Sequence, residues 1–448
     1  MQWTEQRAPG LLEAVGELRA AYSEANPRSA ERHERARRSL PGGNTRTTLF
    51  YEPFPLVFDR AEDGYLHSLD GDRYLDLLGD YTAGLYGHSN PVLTKALHAA
   101  IDEGMSFGAQ TDREERFAAA LRGRFPGMEL LRFTNSGTEA NLMAVASARA
   151  HTGRSTILVF RGGYHGGVLS FGNDNAPLNV PHRFLLCDYN DVEGTRAAIA
   201  GKAPDLAAIL VEPMLGSGGT IPGDPGFLRM LREEATRAGA LLIFDEVMTS
   251  RLAPGGLQRA LDVRPDLCTV GKYLGGGLSF GAFGGRAEVM NGFDPAGTGA
   301  RWAHAGTFNN NALTMAAGLA GLEHVLTDSA LHELNARGDR LRGRLSAVFA
   351  EAGVPFTVTG RGSLLTFHPV SGPVSTPADL ANANPVAKEL LFFYLLDRGY
   401  WMARRAMVSL SLAISDQDCD ELVATVEEFV AVHGAALRDA VLTEENRP

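Results

Sequence analysis

Lys272 stands in the run Asp266-Leu-Cys-Thr-Val-Gly-Lys272-Tyr-Leu-Gly-Gly-Gly, after an apolar stretch and before three glycines. Upstream, Asp245 closes the run Leu241-Leu-Ile-Phe-Asp245-Glu246-Val247. A lysine at a strand mouth, among small residues, is placed to form an imine. An aspartate that follows four apolar residues enters a region of low dielectric, where a carboxylate is costly unless paired. A protonated pyridine nitrogen would pair it, and a structural salt bridge is the competing explanation. Glu246 would point the opposite way on an extended strand. Together the lysine and the acid point to pyridoxal phosphate, whose carrier is a lysine and whose ring nitrogen an acid keeps protonated.

Three more groups sit where such a cofactor would need them. Phe133-Thr-Asn-Ser136-Gly137-Thr138-Glu-Ala-Asn141 ends an apolar stretch and opens an alanine-rich helix. Small hydroxyls and a glycine at a helix start expose N–H groups, and the helix dipole favours a phosphate. An ordinary helix cap explains the same residues. Gly162-Gly163-Tyr164-His165-Gly166-Gly167 lets backbone approach a ligand closely, and Tyr164 could stack on a flat ring. A glycine turn with a buried tyrosine and a structural histidine is the plainer reading. Val211-Glu212-Pro213 puts another acid at a strand end. Two rival motifs fail. A P-loop needs glycine at 266 and serine or threonine at 273, where Asp266 and Tyr273 stand. Gly277-Leu-Ser279-Phe-Gly281 matches a nucleophile elbow, but Ala282-Phe-Gly-Gly285 after it reads as extended rather than helical.

These residues need strand ends and helix starts to hold them. Apolar runs at 156–160, 183–187, 207–212 and 241–245 alternate with helical patterns at 138–151, 226–238 and 311–325. Such alternation means βαβ units and a largely parallel sheet covered on both faces, with ligands beyond the strands' carboxyl ends. Before them, 11–40 reads as helix with a break at Asn26-Pro27, stopped by Pro41-Gly42-Gly43. Extended pieces come next at 56–59, 65–70 and 73–77, the last two joined by an Asp70-Gly71-Asp72 hairpin turn. Helices at 331–352 and 417–433 and a Gly360-Arg-Gly362 turn close the chain. The expected fold is α/β: a large central domain at 81–328, and a smaller α+β domain built from 1–80 and 329–448.

Composition removes other classes. The 448 residues are 44% hydrophobic and 21% charged, with a net charge of −11. That balance argues against nucleic acid as a partner, and the basic stretch at 32–38 reads as a solvated helix face. Cys187, Cys268 and Cys419 are far apart, which fits a reducing cytoplasm and neither a disulfide framework nor a zinc site. The first residues lack a signal-peptide pattern, and no apolar run is long enough to span a membrane. No metal is expected.

Taken in order, Asn135-Ser-Gly-Thr-Glu-Ala140, Gly163-Tyr-His-Gly166, Glu212-Pro213, Asp245-Glu246-Val247, Gly271-Lys272 and Gly306-Thr307 resemble the class III aminotransferases of fold type I. Leu40-Pro-Gly-Gly43 and Gly306-Thr-Phe-Asn309 are similar to the glutamate-1-semialdehyde aminomutase branch. Arg46-Thr-Thr-Leu-Phe-Tyr-Glu-Pro-Phe-Pro55, Tyr81-Thr-Ala-Gly84, Tyr86-Gly-His88 and Val247-Met-Thr-Ser-Arg-Leu-Ala-Pro254 look closer still to the β-phenylalanine aminotransferases. The resemblance implies roles. Lys272 would carry pyridoxal phosphate and move a proton, and Asp245 would pair with the ring nitrogen. Tyr164 and Val247 would sandwich the ring, with Glu212 near its polar edge. Ser136, Gly137 and Thr138 would bind the phosphate. Thr307 would reach the phosphate of a partner subunit, making a homodimer with shared sites. Arg46 would grip the substrate carboxylate, and Tyr81 would also bind substrate. Arg405, or its neighbour Arg404, would receive the acceptor's distal carboxylate. The implied activity is transamination of an aromatic β-amino acid with 2-oxoglutarate or pyruvate. A glutamate-1-semialdehyde 2,1-aminomutase and another ω-amino acid or amine transaminase are the alternatives. Asn44-Thr-Arg46 departs from the aminomutase pattern, which has proline and a later arginine.

Overall fold

The computed structural model describes residues 9–172, 176–299 and 301–445. Residues 1–7, read above for a signal peptide, lie outside them. The chain divides into two units. One comprises Asn90–Asn335 and Ser375–Ala378, the other Met1–Ser89, Ala336–Val374 and Asp379–Pro448.

The larger unit is built on a seven-stranded sheet. Its order is Leu130–Thr134, Gly281–Gly285, Leu267–Gly271, Leu241–Asp245, Leu206–Val211, Thr156–Phe160 and Arg183–Cys187. Only Gly281–Gly285 runs against its neighbours. The four strands at the centre are buried along their whole length, as their continuous apolar sequence demands. After Thr134, at one edge, the Gly137–Thr152 helix carries the chain across the sheet to Thr156, near the other. Ala140, Ala144 and Ala148 recur every fourth residue and face the sheet, so this helix seats closely on Ile157, Ala207 and Leu267. The nucleophile-elbow reading has no support, because Phe280 leads into a strand rather than a helix.

The smaller unit joins both parts of the chain in one sheet. Phe58–Glu62, Tyr65–Ser68 and Arg73–Asp76 form an antiparallel meander. Tyr400–Trp401 then pairs parallel to Arg73–Asp76. A second sheet orders Thr357–Arg361, Leu364–His368 and Met407–Ser409. Gly71 turns the hairpin at φ +106 and Gly362 turns the other at φ +55, conformations glycine reaches without a Cβ clash. Helix Pro9–Ala25 packs on helix Pro385–Asp397. The basic stretch lies on and just beyond helix Pro27–Ala36, with Arg35 paired to Glu31 and Arg37 to Glu34 at the surface. Several boundaries differ from sequence expectation, two of them instructively. The strand expected at 56–59 runs Phe58–Glu62, because its partner begins only at Tyr65. The helix expected at 311–325 is α-helical over Ala312–Ala320 and ends in a π turn at Gly321–Val325.

Candidate active site

With six strands aligned, Thr134, Phe160, Val211, Asp245 and Gly271 share one edge of the large unit's sheet. The residues singled out in the sequence lie just beyond it.

Asp245 is 3% exposed. Its Oδ2 accepts from Asn141 Nδ2 at 2.8 Å and meets His165 Nδ1 at 2.8 Å. Its Oδ1 accepts from the Val247 N–H at 3.0 Å and lies 3.5 Å from Thr269 Oγ1. Thr269 Oγ1 donates to Asn141 Oδ1 at 2.7 Å, and Asn141 also donates to the His165 carbonyl. The network therefore fixes Asp245 from the helix, from the glycine loop and from the neighbouring strand at once. Among the described residues His165 is an ion-pair partner of this buried acid. Glu246 turns the other way, accepting from the N–H groups of Leu257 and Gln258.

Glu212 accepts from the N–H of Tyr164 and of Gly216, each at 2.9 Å. Burial pushes its carboxyl up to about 7; His165 works against that rise and the charge of Asp245 adds to it. With its backbone so held, Tyr164 leaves 45% of its surface open, unusual for a large ring among buried strand ends.

Ser136 caps the Gly137–Thr152 helix, its Oγ accepting from Glu139 N at 3.1 Å, while Glu139 reaches back to Asn135 N at 2.9 Å. The cap reading is thus correct, and it leaves the N–H groups of Gly137 and Thr138 at the helix head with no intrahelical acceptor. A Cβ on Gly137 would stand 2.8 Å from the methyls of Val247, and one on Gly166 would stand 2.3 Å from Thr138 Oγ1. Backbone approach at both places therefore requires glycine. Lys272, half-buried, follows Gly271 with φ +54, a region an ordinary side chain rarely adopts. Asp245 pairs with Thr269, shortly before Lys272 on the adjacent strand. The turn carrying Thr307 is tied to the helix start by Asn135 Nδ2 donating to Asn309 Oδ1 at 3.0 Å; Thr307 is exposed and Phe308 is 61% exposed.

The smaller unit holds the other predicted group. Residues Gly79, Asp80, Tyr81 and Thr82 have φ of +53, +42, +53 and +80, one turn of left-handed helix. Asp76 holds its start, Oδ1 accepting from the N–H of Leu78 and of Gly79. The Tyr81 hydroxyl donates to the Thr48 carbonyl at 2.7 Å. Two guanidinium groups lie over the Tyr81 ring, Arg405 at 4.8 Å and Arg46 at 5.4 Å from its centroid. Arg46 Nη1 also meets Asp80 Oδ1 at 2.6 Å. Arg404 turns away and pairs with Glu389 at 3.4 Å. A pair as exposed as Arg46–Asp80 contributes about 0.2–1 kcal/mol. A left-handed turn costs about 1–2 kcal/mol per non-glycine residue. The exposed pair alone does not offset that cost; the hydrogen bonds to Asp76 and to the Thr48 carbonyl hold the turn.

Comparison with known proteins supplies the family. The sequence pattern described as Aminotransferase class-III matches residues 49–430. The chain belongs to the class III aminotransferases. Pyridoxal phosphate is accordingly the cofactor of this aminotransferase, and the acid, the helix head, the open tyrosine ring and the strand-end lysine fit it. It is 50% identical over 425 residues to a β-phenylalanine transaminase of Variovorax paradoxus, covering 95% of this chain and 98% of that one. A solved β-phenylalanine aminotransferase from the same organism superposes with a TM-score of 0.93 at 49% identity, covering 95% and 99% of the two chains. A glutamate-1-semialdehyde 2,1-aminomutase of Heliobacterium modesticaldum is 36% identical, over 91% of this chain and 98% of that one. Sequence reasoning left Asn141 and Asp80 of this aminotransferase unassigned and took His165 as structural. Asn141 was hidden because its partners are distant in sequence, and Asp80 because only the glycine before it signals a positive φ.

Proposed function

We propose that this aminotransferase moves the amino group of an aromatic β-amino acid to a 2-oxo acid, 2-oxoglutarate or pyruvate. The observation that carries the reading is the Tyr81 ring beneath both Arg46 and Arg405, with Arg404 diverted to Glu389. Two guanidinium groups in one cluster suit two carboxylates, each gripped through a planar fork of donors. Arg46 receives the donor's carboxylate and, when 2-oxoglutarate is the acceptor, Arg405 receives its distal one. The 50% identity to a β-phenylalanine transaminase supports the same choice.

Pyridoxal phosphate, when bound, supplies an electron sink that stabilises negative charge on the substrate's amine-bearing carbon. Asp245, oriented by Asn141 and His165, pairs with a protonated ring nitrogen. The N–H groups of Gly137 and Thr138, with Ser136, hold the phosphate. Tyr164 and Val247 would bracket the ring. Glu212, placed by the N–H groups of Tyr164 and Gly216, would lie near its polar edge. Lys272 would hold the cofactor and would move the proton that leaves the substrate's amine-bearing carbon. Thr307 completes the phosphate site of a partner subunit, so the working form is a homodimer with shared sites. No helix among the described residues is long and apolar enough to cross a membrane. A cytoplasmic location is part of this reading, supported by three free, buried cysteines.

Arg46→Ala tests the assignment. KM for β-amino acids should rise by about ten-fold or more, from loss of a charge-assisted pair. KM for amines without a carboxylate should move far less. Equal changes for both would remove Arg46 from substrate binding.

A further inference from the structure

We propose that Asp80 is a specificity-determining residue, the resident counter-ion that a substrate carboxylate must displace from Arg46. The inference rests on the reading of Arg46 given above and adds a competitor to it. Asp80 reaches Arg46 through one oxygen and one guanidinium nitrogen, at 2.6 Å. Both side chains are largely exposed, so the pair can exchange without burying an isolated charge. Arg46 and Arg405 both lie over the Tyr81 ring, so two cationic groups crowd one place. Glu389 is engaged with Arg404 and Arg19. Asp80 is thus the carboxylate that neutralises Arg46 when no ligand does.

The backbone supports a purpose beyond stability. Asp80 and Tyr81 sit in the left-handed turn, and its ends are fixed by Asp76 and by Gly84 N donating to the Gly79 carbonyl at 2.8 Å. A two-substrate enzyme needs such a device. One half-reaction brings a carboxylate to Arg46, and the other brings a ligand whose charge lies elsewhere. Asp80 keeps Arg46 paired in the second case and is displaced in the first. Ligands lacking a carboxylate meet a neutral pair, whereas carboxylates must overcome a local competitor.

The test compares two ligands of equal shape, 3-phenylpropanoate and its uncharged amide, titrated calorimetrically into the holoenzyme. The quantity read is the ratio of the carboxylate's Kd to the amide's. Asp80→Asn removes the charge and keeps a residue that tolerates the left-handed region. The ratio should fall about two- to five-fold, the size of an exposed ion pair. Asp80→Ala should lower it in the same direction, with an unchanged near-ultraviolet spectrum confirming the fold. A ratio that stays level or rises in Asp80→Asn overturns the inference. Arg46→Ala separates the two levels of the argument. If it raises the ratio while Asp80→Asn does not lower it, Asp80 alone is misassigned. If Arg46→Ala leaves the ratio unchanged, the carboxylate site is elsewhere and both readings fall.

Discussion

At the scale of single residues, the acid network is the part of the proposed site that the fold orders most completely. Asp245 is held by three side chains drawn from a helix, a loop and a strand, so its orientation does not depend on a ligand. Asp245→Asn should lower turnover by about 10²–10³, in line with loss of one preorganised electrostatic group. Steady-state kinetics at saturating cofactor checks it; near-normal rates would make the acid structural. Lys272→Ala should abolish the cofactor mass fixed on the Lys272 peptide by borohydride, read by mass spectrometry. Glu212 gives a pH prediction. Burial raises its carboxyl in the folded protein from the usual 4.5 to about 7, so the neutral form is favoured there. Its contribution to stability is full below about 4.5 and is lost as pH rises through about 7. Glu212→Gln should therefore flatten the fall in melting temperature over that window; a fall as steep as the wild type's would show that Glu212 is not its source. Asp245 and Lys272 were legible in the sequence, since a polar residue ending an apolar run declares itself. Asn141 was not, because its helical position gains meaning only when Asp245 and Thr269 arrive from elsewhere in the chain.

Elements decide how closely those residues meet. The Gly137–Thr152 helix starts against Val247 and Gly166 because both contacts exclude a Cβ. Gly166→Ala would place a methyl 2.3 Å from Thr138 Oγ1 at φ +123, and should destabilise the protein by about 1–3 kcal/mol. Cofactor affinity should fall with it. Denaturant unfolding and cofactor titration measure the two; wild-type values in both would show that the loop adapts. Strands with uninterrupted apolar runs, such as Thr156–Phe160 and Leu241–Asp245, were readable to the residue. The Pro385–Asp397 helix was not, because it is apolar nearly all round and shows no single face. The final helix runs to Glu445, beyond the expected 433, since its last turns lack a glycine or proline stop. The left-handed turn at Gly79–Thr82 was illegible for a different reason. Nothing in Asp-Tyr-Thr favours it, and tertiary hydrogen bonds impose it.

For the whole molecule, pairing of Tyr400–Trp401 with Arg73–Asp76 joins strands from distant parts of the chain in one sheet. The expected homodimer should sediment at twice the chain mass of 48.0 kDa. Phe308→Asp, a charge in an exposed apolar turn, should shift it toward monomer and weaken cofactor retention; a stable monomeric wild type with full activity would refute shared sites. The substrate assignment itself is tested most directly by incubating the purified holoenzyme with β-phenylalanine, with and without 2-oxoglutarate or pyruvate, and quantifying both products. Transamination predicts one equivalent of the acceptor's amino acid for each β-amino acid consumed, and no sustained turnover when the acceptor is left out. Sustained turnover without an acceptor, or no reaction with β-phenylalanine while carboxylate-free amines react, would contradict it.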